Sequence, residues 1–367
     1  MKRIVIVGGG TGGTMMANKL SRELSGRGWV ITVIDRDNNH IYQPGLLFVP
    51  FGMDGERDLI RPRLRLLEPG IELVLSEVDQ IDPDGRQVAL GNGTRILPEE
   101  TPGLVGPGWR RDIFDFYTLE GARTLHERLE RFEGGKIVLN VVGMPIKCPV
   151  APLEFMFLAD AWATERGIRN KVELTYATPL DGAFTKPRAA AALGDLLEKK
   201  NVHVESDFSA SEADPEGKLL RSYDGRAIDY DILVTVPLHG GDAAIARSGM
   251  GDDFGFLPTD PHTLKATEVD NTFALGDATN LPTSKAGSVA HFSVDVFAVN
   301  FLEHIAGRPM KERFDGHANC FVESGDGKGM LIDFNYDTEP LPGDFPVPKV
   351  GPFPLLRESR RNHWGKR

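Results

Sequence analysis

The chain contains two cysteines, Cys148 and Cys320, and each has neighbours that could support redox chemistry. Cys148 follows Lys147 and directly precedes a predicted helix, so the helix dipole and the lysine are expected to lower the pKa of its thiol. Cys320 follows His317 by three positions. Two inert buried cysteines fit the composition equally well. No CxxC or HExxH pattern occurs, and the sequence therefore predicts no metal site.

The N-terminal sequence predicts a nucleotide-binding unit, built from a strand, a glycine-rich turn, a helix and a second strand over Lys2–Val7, Gly8–Gly13, Thr14–Leu24 and Val30–Ile34. Gly8, Gly10 and Gly13 have GxGxxG spacing, in which the glycines allow a tight turn, close approach of a pyrophosphate and close helix packing. The helix N-terminus offers free N–H groups to phosphate. Asp35, at the end of the second strand, is placed to bind a ribose. This pattern alone does not separate FAD from NAD.

A distant segment favours FAD. Residues 270–278 predict a short apolar strand that ends in Gly276 and Asp277, where a carboxylate can bind a ribityl hydroxyl of a flavin. A helix predicted over Ser288–Phe301 would point its N-terminus at the flavin ring and stabilise negative charge there. A buried strand and turn would explain this segment alone, but together with the N-terminal unit it makes FAD the leading cofactor.

A second parallel α/β unit is predicted from alternating strands and helices over Lys136–Val142, Pro152–Glu165, Lys171–Ala177, Pro187–Lys200 and Val202–Ser206. Its first turn contains Pro145, Pro149 and Pro152 and lacks the glycines of a phosphate-binding turn. Proline has no N–H to offer to a pyrophosphate. We therefore expect this unit to keep the fold without a nicotinamide site, and electrons to come from a donor other than NAD(P)H.

Composition limits the remaining possibilities. The 367 residues suffice for two domains, and the net charge of −11 argues against a nucleic-acid-binding protein. No apolar run reaches the roughly 18 residues of a membrane-spanning helix. Because the first strand begins at residue 2, no secretory signal is expected ahead of it. These features predict a location in the cytoplasm or peripherally on the membrane.

The C-terminal residues are basic although the chain as a whole is acidic. Basic side chains alternate with apolar ones there, among them Arg357, Arg360, Lys366, Leu355 and Trp364. A solvated tail is one interpretation. The other is a surface that meets anionic lipid, since basic and apolar side chains together are typical of membrane interfaces.

Taken together, these motifs resemble the sulfide:quinone oxidoreductases and the related flavoprotein subunit of flavocytochrome c sulfide dehydrogenase. The resemblance is carried by residues 7–13, 146–155, 273–277, 282–291 and 317–320. It implies an α/β fold with two Rossmann-like dinucleotide-binding domains of the disulfide-reductase-like flavoprotein type. It also implies that FAD is the cofactor and that sulfide and a quinone are the substrates. Peripheral membrane contact is expected, and a homo-oligomer is compatible with the sequence.

The resemblance further assigns roles to single residues. Cys148 and Cys320 match two cysteines that flank the flavin and form a disulfide or polysulfide bridge, which sulfide opens by thiol–disulfide exchange. Which cysteine is attacked stays open. Glu154 matches a glutamate proposed to manage protons, and a helix-start acid is the alternative. Lys285 is expected to offset charge near the cofactor, although a surface or packing role is equally compatible.

The chain also departs from the family pattern. A third cysteine that several bacterial members carry is absent near residues 113–116. After Thr94 a strand expected beside the FAD is missing, because the sequence runs directly into Arg95–Gly103. A gap in a parallel sheet leaves backbone groups unpaired, which puts FAD affinity in question.

The domain prediction follows from these units. Residues 1–110 and 240–330 would form a discontinuous FAD domain, residues 111–239 a second Rossmann-like domain, and residues 331–367 a cap or membrane-facing segment. The leading function is FAD-dependent oxidation of sulfide or persulfide through Cys148 and Cys320, with electrons passed to a membrane quinone. The alternatives are a type-II NADH dehydrogenase-like enzyme and a non-catalytic, flavin-poor remnant that binds or senses.

Overall fold

The computed structural model describes residues 2–91, 106–347 and 349–366. Its strands, in chain order, are β1 Lys2–Val7, β2 Trp29–Asp35, β3 Asn39–Ile41, β4 Ile60–Pro62, β5 Glu72–Leu75, β6 Glu77–Asp82, β7 Gln87–Gly91, β8 Ile113–Phe114, β9 Gly135–Val141, β10 Val172–Ala177, β11 Val202–Glu205, β12 Ala210–Asp214, β13 Leu219–Ser222, β14 Ala227–Asp229, β15 Ile232–Val236, β16 Ala318–Gly325, β17 Lys328–Phe334, β18 Gly343–Phe345 and β19 Phe353–Leu355. The helices are α1 Thr11–Glu23, α2 Glu56–Leu59, α3 Leu119–Glu130, α4 Ala151–Glu165, α5 Pro187–Lys199, α6 Ala243–Arg247, α7 Gly287–Ile305 and α8 Arg360–Lys366.

The N-terminal unit forms as the sequence predicts. Strands β1, β2 and β5 make a parallel sheet in the order β1-β2-β5, and α1 packs against α7. The turn depends on its glycines, because Gly8 has φ +91° and a Cβ on Gly13 would lie 2.0 Å from the Gly8 carbonyl oxygen. Helix α1 begins three residues earlier than predicted, at Thr11. Its first N–H groups therefore lie directly behind the glycine turn.

The predicted strand over residues 270–278 is not present. Phe273 makes a single bridge to Lys265, and residues 276–278 form a turn of 3-10 helix. Within the described residues β1 pairs only with β2, and Val5 and Val7 are 41% and 44% exposed. A strand forms only where a neighbouring strand pairs with its backbone N–H and C=O groups. In the described part of the β1-β2-β5 sheet, no strand lies beside residues 270–278 to do so. The gap predicted after Thr94 falls outside the described residues and stays a prediction.

A second parallel sheet confirms the second α/β unit. Its order is β11-β10-β9-β15-β8, and it spans residues 113–236. The central strands β9 and β15 are apolar and buried along nearly their whole length, as expected for a sheet covered on both faces. A small antiparallel sheet, β12-β13-β14, is inserted between β11 and β15.

A C-terminal sheet was not predicted from the sequence. Its order is β16-β17-β19-β18, and it packs β16 against α4 while α8 covers β16 and β17. This sheet begins at Ala318 and so crosses the boundary that the sequence places after residue 330. Helix α4 is buried along most of its length, with Leu153, Phe155 and Phe157 fully inaccessible, because it lies between two sheets. No helix in the described ranges is both long and apolar enough to cross a membrane.

The glycine turn provides a matched pair of substitutions. Gly13→Ala should lower the free energy of unfolding by about 1–3 kcal/mol, since its Cβ meets backbone that cannot move aside. Gly10→Ala should leave stability nearly unchanged, because no atom lies within 4 Å of the new Cβ. Urea unfolding of the two variants tests this, and equal stability would contradict the packing role given to Gly13.

Candidate active site

Cys148 lies in the turn between β9 and α4, held by its backbone. Its N–H donates to the Lys285 carbonyl oxygen at 2.7 Å, and its own carbonyl accepts from the Ala151 N–H at 2.9 Å. The residue adopts φ +52°, a left-handed conformation that is uncommon for a non-glycine residue and is often found at functional sites. The turn thus fixes Cys148 against the segment that follows Gly276 and Asp277.

Cys320 approaches the same segment from the other side. It lies on β16, and the N–H of the preceding residue, Asn319, donates to the Ser288 hydroxyl at 3.3 Å. Lys285 and Ser288 are three positions apart, so the two cysteine-bearing elements meet at one short stretch around the start of α7. The charge of Cys148 is close enough to raise the pKa of Cys320 further. The structure therefore brings together the two cysteines that the sequence singles out, as free thiols.

The expected lowering of the Cys148 pKa was wrong. Burial, followed by the charge of Glu154, raises the pKa of the Cys148 thiol to about 11, and Lys366 opposes this only in part. Burial also raises the pKa of Cys320, which lies deeper. Helix dipole and Lys147 cannot offset the loss of water around the thiol, because removing a charge from water is the larger effect.

Glu154 is buried among charged groups, at 1% exposure. Its Oε1 accepts from the Glu323 N–H at 2.8 Å and forms an ion pair with Lys366. Lys366 also donates to the Phe321 carbonyl oxygen at 2.9 Å, one residue after Cys320. Burial raises the pKa of Glu154, although Lys366 acts against it. These contacts join Glu154 to the strand that carries Cys320, and its role in handling protons stays a prediction.

Tyr117 lies close enough to Cys148 to be affected by its charge, and the Tyr117 ring packs against His239 with ring centroids 4.9 Å apart. Burial raises the pKa of the Tyr117 phenol, and the Cys148 charge adds to that effect. Burial and then Lys147 lower the pKa of His239 to about 4, which keeps the imidazole neutral at pH 7. In the described structure neither the Tyr117 hydroxyl nor the His239 Nδ1 has a hydrogen-bond partner.

Lys285 supports the turn that carries Asp277. Its Nζ donates to the carbonyl oxygens of Thr279, at 2.6 Å, and Asp277, at 3.2 Å, and lies 3.6 Å from the centroid of the Phe256 ring. Gly276 adopts φ +66°, and the Asp277 side chain stays exposed. Lys285 thus holds the turn in shape while the Asp277 carboxylate remains available to a ligand.

At the nucleotide turn, Asp35 already has protein partners. Its Oδ2 accepts a hydrogen bond from the Gly9 N–H at 2.7 Å, and its Oδ1 forms an ion pair with Arg63 Nη2 at 3.1 Å. The Arg63 side chain is only 6% exposed and also donates to the backbone of Gly9 and Asn39. Beside Gly10 there is open space, which is what close approach of a phosphate requires.

Sequence reasoning missed several of these residues. Arg63 lies in a basic run that gives no periodic signal, and Tyr117 and Glu323 have no motif of their own. Lys366 was noticed only as part of the basic C-terminus. No group of three histidine, cysteine or acidic residues that could hold a metal occurs among the residues described.

This architecture is that of two-domain α/β flavoprotein reductases, as predicted. The solved structure of the sulfide:quinone oxidoreductase from Aquifex aeolicus superimposes with a TM-score of 0.80 at 19% identity, covering 100% of this chain and 89% of that one. The mitochondrial sulfide:quinone oxidoreductase of Mus musculus is 25% identical over 92% of this chain and 79% of its own length. The mitochondrial sulfide:quinone oxidoreductase of Dictyostelium discoideum is 24% identical over 97% of this chain and 81% of its own length. No protein-family model matches the chain.

The similarity to sulfide:quinone oxidoreductases is therefore confirmed over nearly the whole chain. It extends to the fold, and the segments that carry both cysteines fall within it.

Asp277 offers a test of the cofactor turn. Asp277→Ala should yield folded protein with little bound flavin, because a carboxylate contact to a ribityl hydroxyl would be lost. Asp270→Ala is the control, since Asp270 is exposed and its carboxylate pairs with Lys265, away from the turn. Flavin per protein is read from the absorbance of both purified variants, and full flavin occupancy in Asp277→Ala would remove this residue from the site.

Proposed function

We propose that this protein oxidises sulfide, or a persulfide, with FAD as cofactor and passes the electrons to a quinone. The observation that carries the proposal is the convergence of Cys148 and Cys320 on residues 285–288, directly after the Gly276-Asp277 turn. The flavin is expected beside this turn, so the two thiols would lie next to it, where they could exchange sulfur and pass electrons on. Both cysteines also lie in segments that are similar to sulfide:quinone oxidoreductases.

The residues present fit FAD. Gly8, Gly10 and Gly13 and the start of α1 would take the pyrophosphate, with open space beside Gly10. Asp35 would take the adenosine ribose if it shares its carboxylate with Gly9 and Arg63. Asp277 would take the ribityl chain. When bound, FAD supplies a two-electron acceptor that a quinone can reoxidise.

The cysteine pair would perform the exchange step. Sulfide attacks one sulfur of a Cys148–Cys320 bridge and the other cysteine leaves as a thiolate. Burial raises the pKa of both thiols, and Lys366 lowers both in part, so its positive charge would help either cysteine to leave as a thiolate. Which of the two sulfurs sulfide attacks stays open. The protein's part is to keep both sulfurs close, to exclude water and to manage the proton and charge that the step releases.

The NADH dehydrogenase alternative is disfavoured by the turn before α4. The Cys148 N–H already donates to Lys285, and Pro145, Pro149 and Pro152 have no N–H. A pyrophosphate would find few hydrogen-bond donors at this turn.

The flavin-poor alternative is favoured by the position of β1 at the edge of its sheet, where one side of the strand has no partner strand among the described residues. An absorbance spectrum of the purified protein separates a flavoenzyme from a flavin-poor remnant.

We further propose that the C-terminal segment contacts anionic lipid. Val350 and Trp364 are each 80% exposed, and Arg357, Arg360 and Arg361 are exposed in the same segment of the chain. Apolar side chains beside exposed basic charge match an anionic interface. A membrane surface would also be the source of a quinone. The cellular location itself stays a proposal.

The donor and the cysteine pair can be tested together. Under anaerobic conditions sulfide should bleach the flavin and NADH should not. Cys148→Ser and Cys320→Ser should each lose sulfide-dependent bleaching by about two orders of magnitude or more, because each sulfur is needed to complete the exchange. Normal turnover in either serine variant would overturn the sulfide mechanism, and rapid bleaching by NADH would overturn the account of the second domain.

Lipid contact predicts sedimentation with vesicles. The protein should sediment with vesicles rich in phosphatidylglycerol more than with phosphatidylcholine alone, and less so in high salt. Trp364→Ala combined with Arg357→Ala should reduce this by severalfold. Tyr223→Ala is the control, because Tyr223 is equally exposed on a distant turn. Unchanged sedimentation in the double variant would leave the C-terminus as a solvated segment.

A further inference from the structure

The charges around the cysteine pair are contributed by several elements that are far apart in sequence. Lys366 on α8 pairs with Glu154 on α4 and also binds the backbone of β16. The titratable and charged groups that face this cluster are Tyr117 after β8, Glu154 on α4, Cys320 and Glu323 on β16, Asp333 on β17, His363 and Lys366 on α8, and Cys148 and Asp277 in the adjoining turns. Glu323 is itself paired with His363. Glu154 and Lys366 are the groups of this set whose charges act on both thiols.

A buried site of this kind tolerates little net charge. Glu154 is 1% exposed and the Lys366 side chain 15% exposed. Removing one partner of such a pair leaves an uncompensated buried charge, which is strongly destabilising. Opening a cysteine bridge creates a new buried anion, the thiolate. The site therefore needs a way to lose one negative charge whenever it gains another.

We propose that Lys366 is a positioning residue that changes partner during the reaction, pairing with Glu154 while the cysteines are joined and with the cysteine thiolate once Glu154 has taken up a proton. This inference rests on the proposed sulfide oxidation. The Lys366 ammonium is suited to the exchange because it already lies between Glu154 and the strand of Cys320. Its charge also acts on both thiols and lowers the pKa of each against the effect of burial.

The exchange step balances in atoms and in charge. The sulfur of hydrogen sulfide bonds to one bridge sulfur, the bridge bond breaks, and the other cysteine leaves as a thiolate. The sulfide sulfur is oxidised by two electrons and the cysteine pair is reduced by the same two. One proton passes to the Glu154 carboxylate and the second stays on the new persulfide. Lys366 faces one negative charge before the step and one after it.

The raised pKa of Glu154 supports this sequence. Burial raises the pKa of the carboxyl, so it accepts a proton more readily than an exposed glutamate would. While Glu154 is charged it raises the pKa of Cys148, and on taking up a proton it ceases to do so. The same protonation releases Lys366 from its partner. Both effects favour the thiolate at the moment it forms.

Alkylation of Cys148 tests the inference without sulfide turnover. In the reduced flavoprotein, the rate of reaction of Cys148 with iodoacetamide at pH 8 is followed by peptide mass spectrometry. Glu154→Gln imitates the protonated glutamate and should raise the rate at least threefold, because Lys366 is then left to the thiolate. Glu154→Gln combined with Lys366→Met should return the rate to the original level or below it. Equal rates in these two variants would overturn the proposal.

Two further variants guard the interpretation. Glu154→Gln with Lys366→Arg keeps the positive charge and should keep the raised rate, even if the methionine variant folds poorly. Lys328→Met removes an exposed lysine from the strand beside β16 and should leave Cys148 reactivity unchanged. Loss of the raised rate in the arginine variant would also count against Lys366 as the cation.

The outcomes separate this inference from the proposed function. If sulfide bleaches the flavin but Glu154→Gln does not accelerate alkylation, the role of Lys366 fails alone. If sulfide does not bleach the flavin, the proposed function fails whatever the alkylation rates. If both hold, the pH dependence that Glu154 contributes to sulfide-dependent flavin reduction should move to higher pH in Lys366→Met, because Lys366 no longer lowers the pKa of Glu154.

Discussion

The cost of burying charge beside two thiols is the constraint on which the rest of this structure depends. Glu154 and both cysteines lie where water is largely excluded, and burial raises the pKa of all three groups. Such groups persist only with partners of opposite charge or with hydrogen bonds. Lys366 provides the opposite charge and the Glu323 N–H the hydrogen bond. The C-terminal sheet and α8 are therefore part of the proposed site, since they provide both partners.

The same constraint explains why three separate parts of the chain meet at α4. This helix has little exposed surface, because the second parallel sheet covers one side and β16 the other. Cys148 and Glu154 flank its start, and Cys320 lies on the strand packed against it. Small errors in this packing would move the sulfurs apart. A helix that is buried and packed on both sides is thus a suitable support for the two sulfurs of the proposed bridge.

The sequence was informative where structure is decided locally and less so where it is decided by distant contacts. The first strand, glycine turn and helix follow from spacing and periodicity within a few residues, and they formed as predicted. Residues 270–278 have the composition of a strand but no described partner beside them, so propensity alone was misleading. Lys366 binds a residue 212 positions away, and no local pattern could show it. The pKa of Cys148 was predicted in the wrong direction because burial, a tertiary property, outweighs its sequence neighbours.

The two halves of the proposed site differ in how firmly the protein holds them. The cysteine side is built from buried helix, strand and ion pair, whereas the described nucleotide side rests on a three-stranded sheet with Val5 and Val7 exposed. A ligand that binds only the native state stabilises that state by mass action. FAD bound along β1 and Asp35 would therefore stabilise the part of the protein that has the fewest stabilising contacts of its own. Cofactor binding and the integrity of the N-terminal unit are then coupled, while the charged cluster around Glu154 keeps its geometry through contacts of its own.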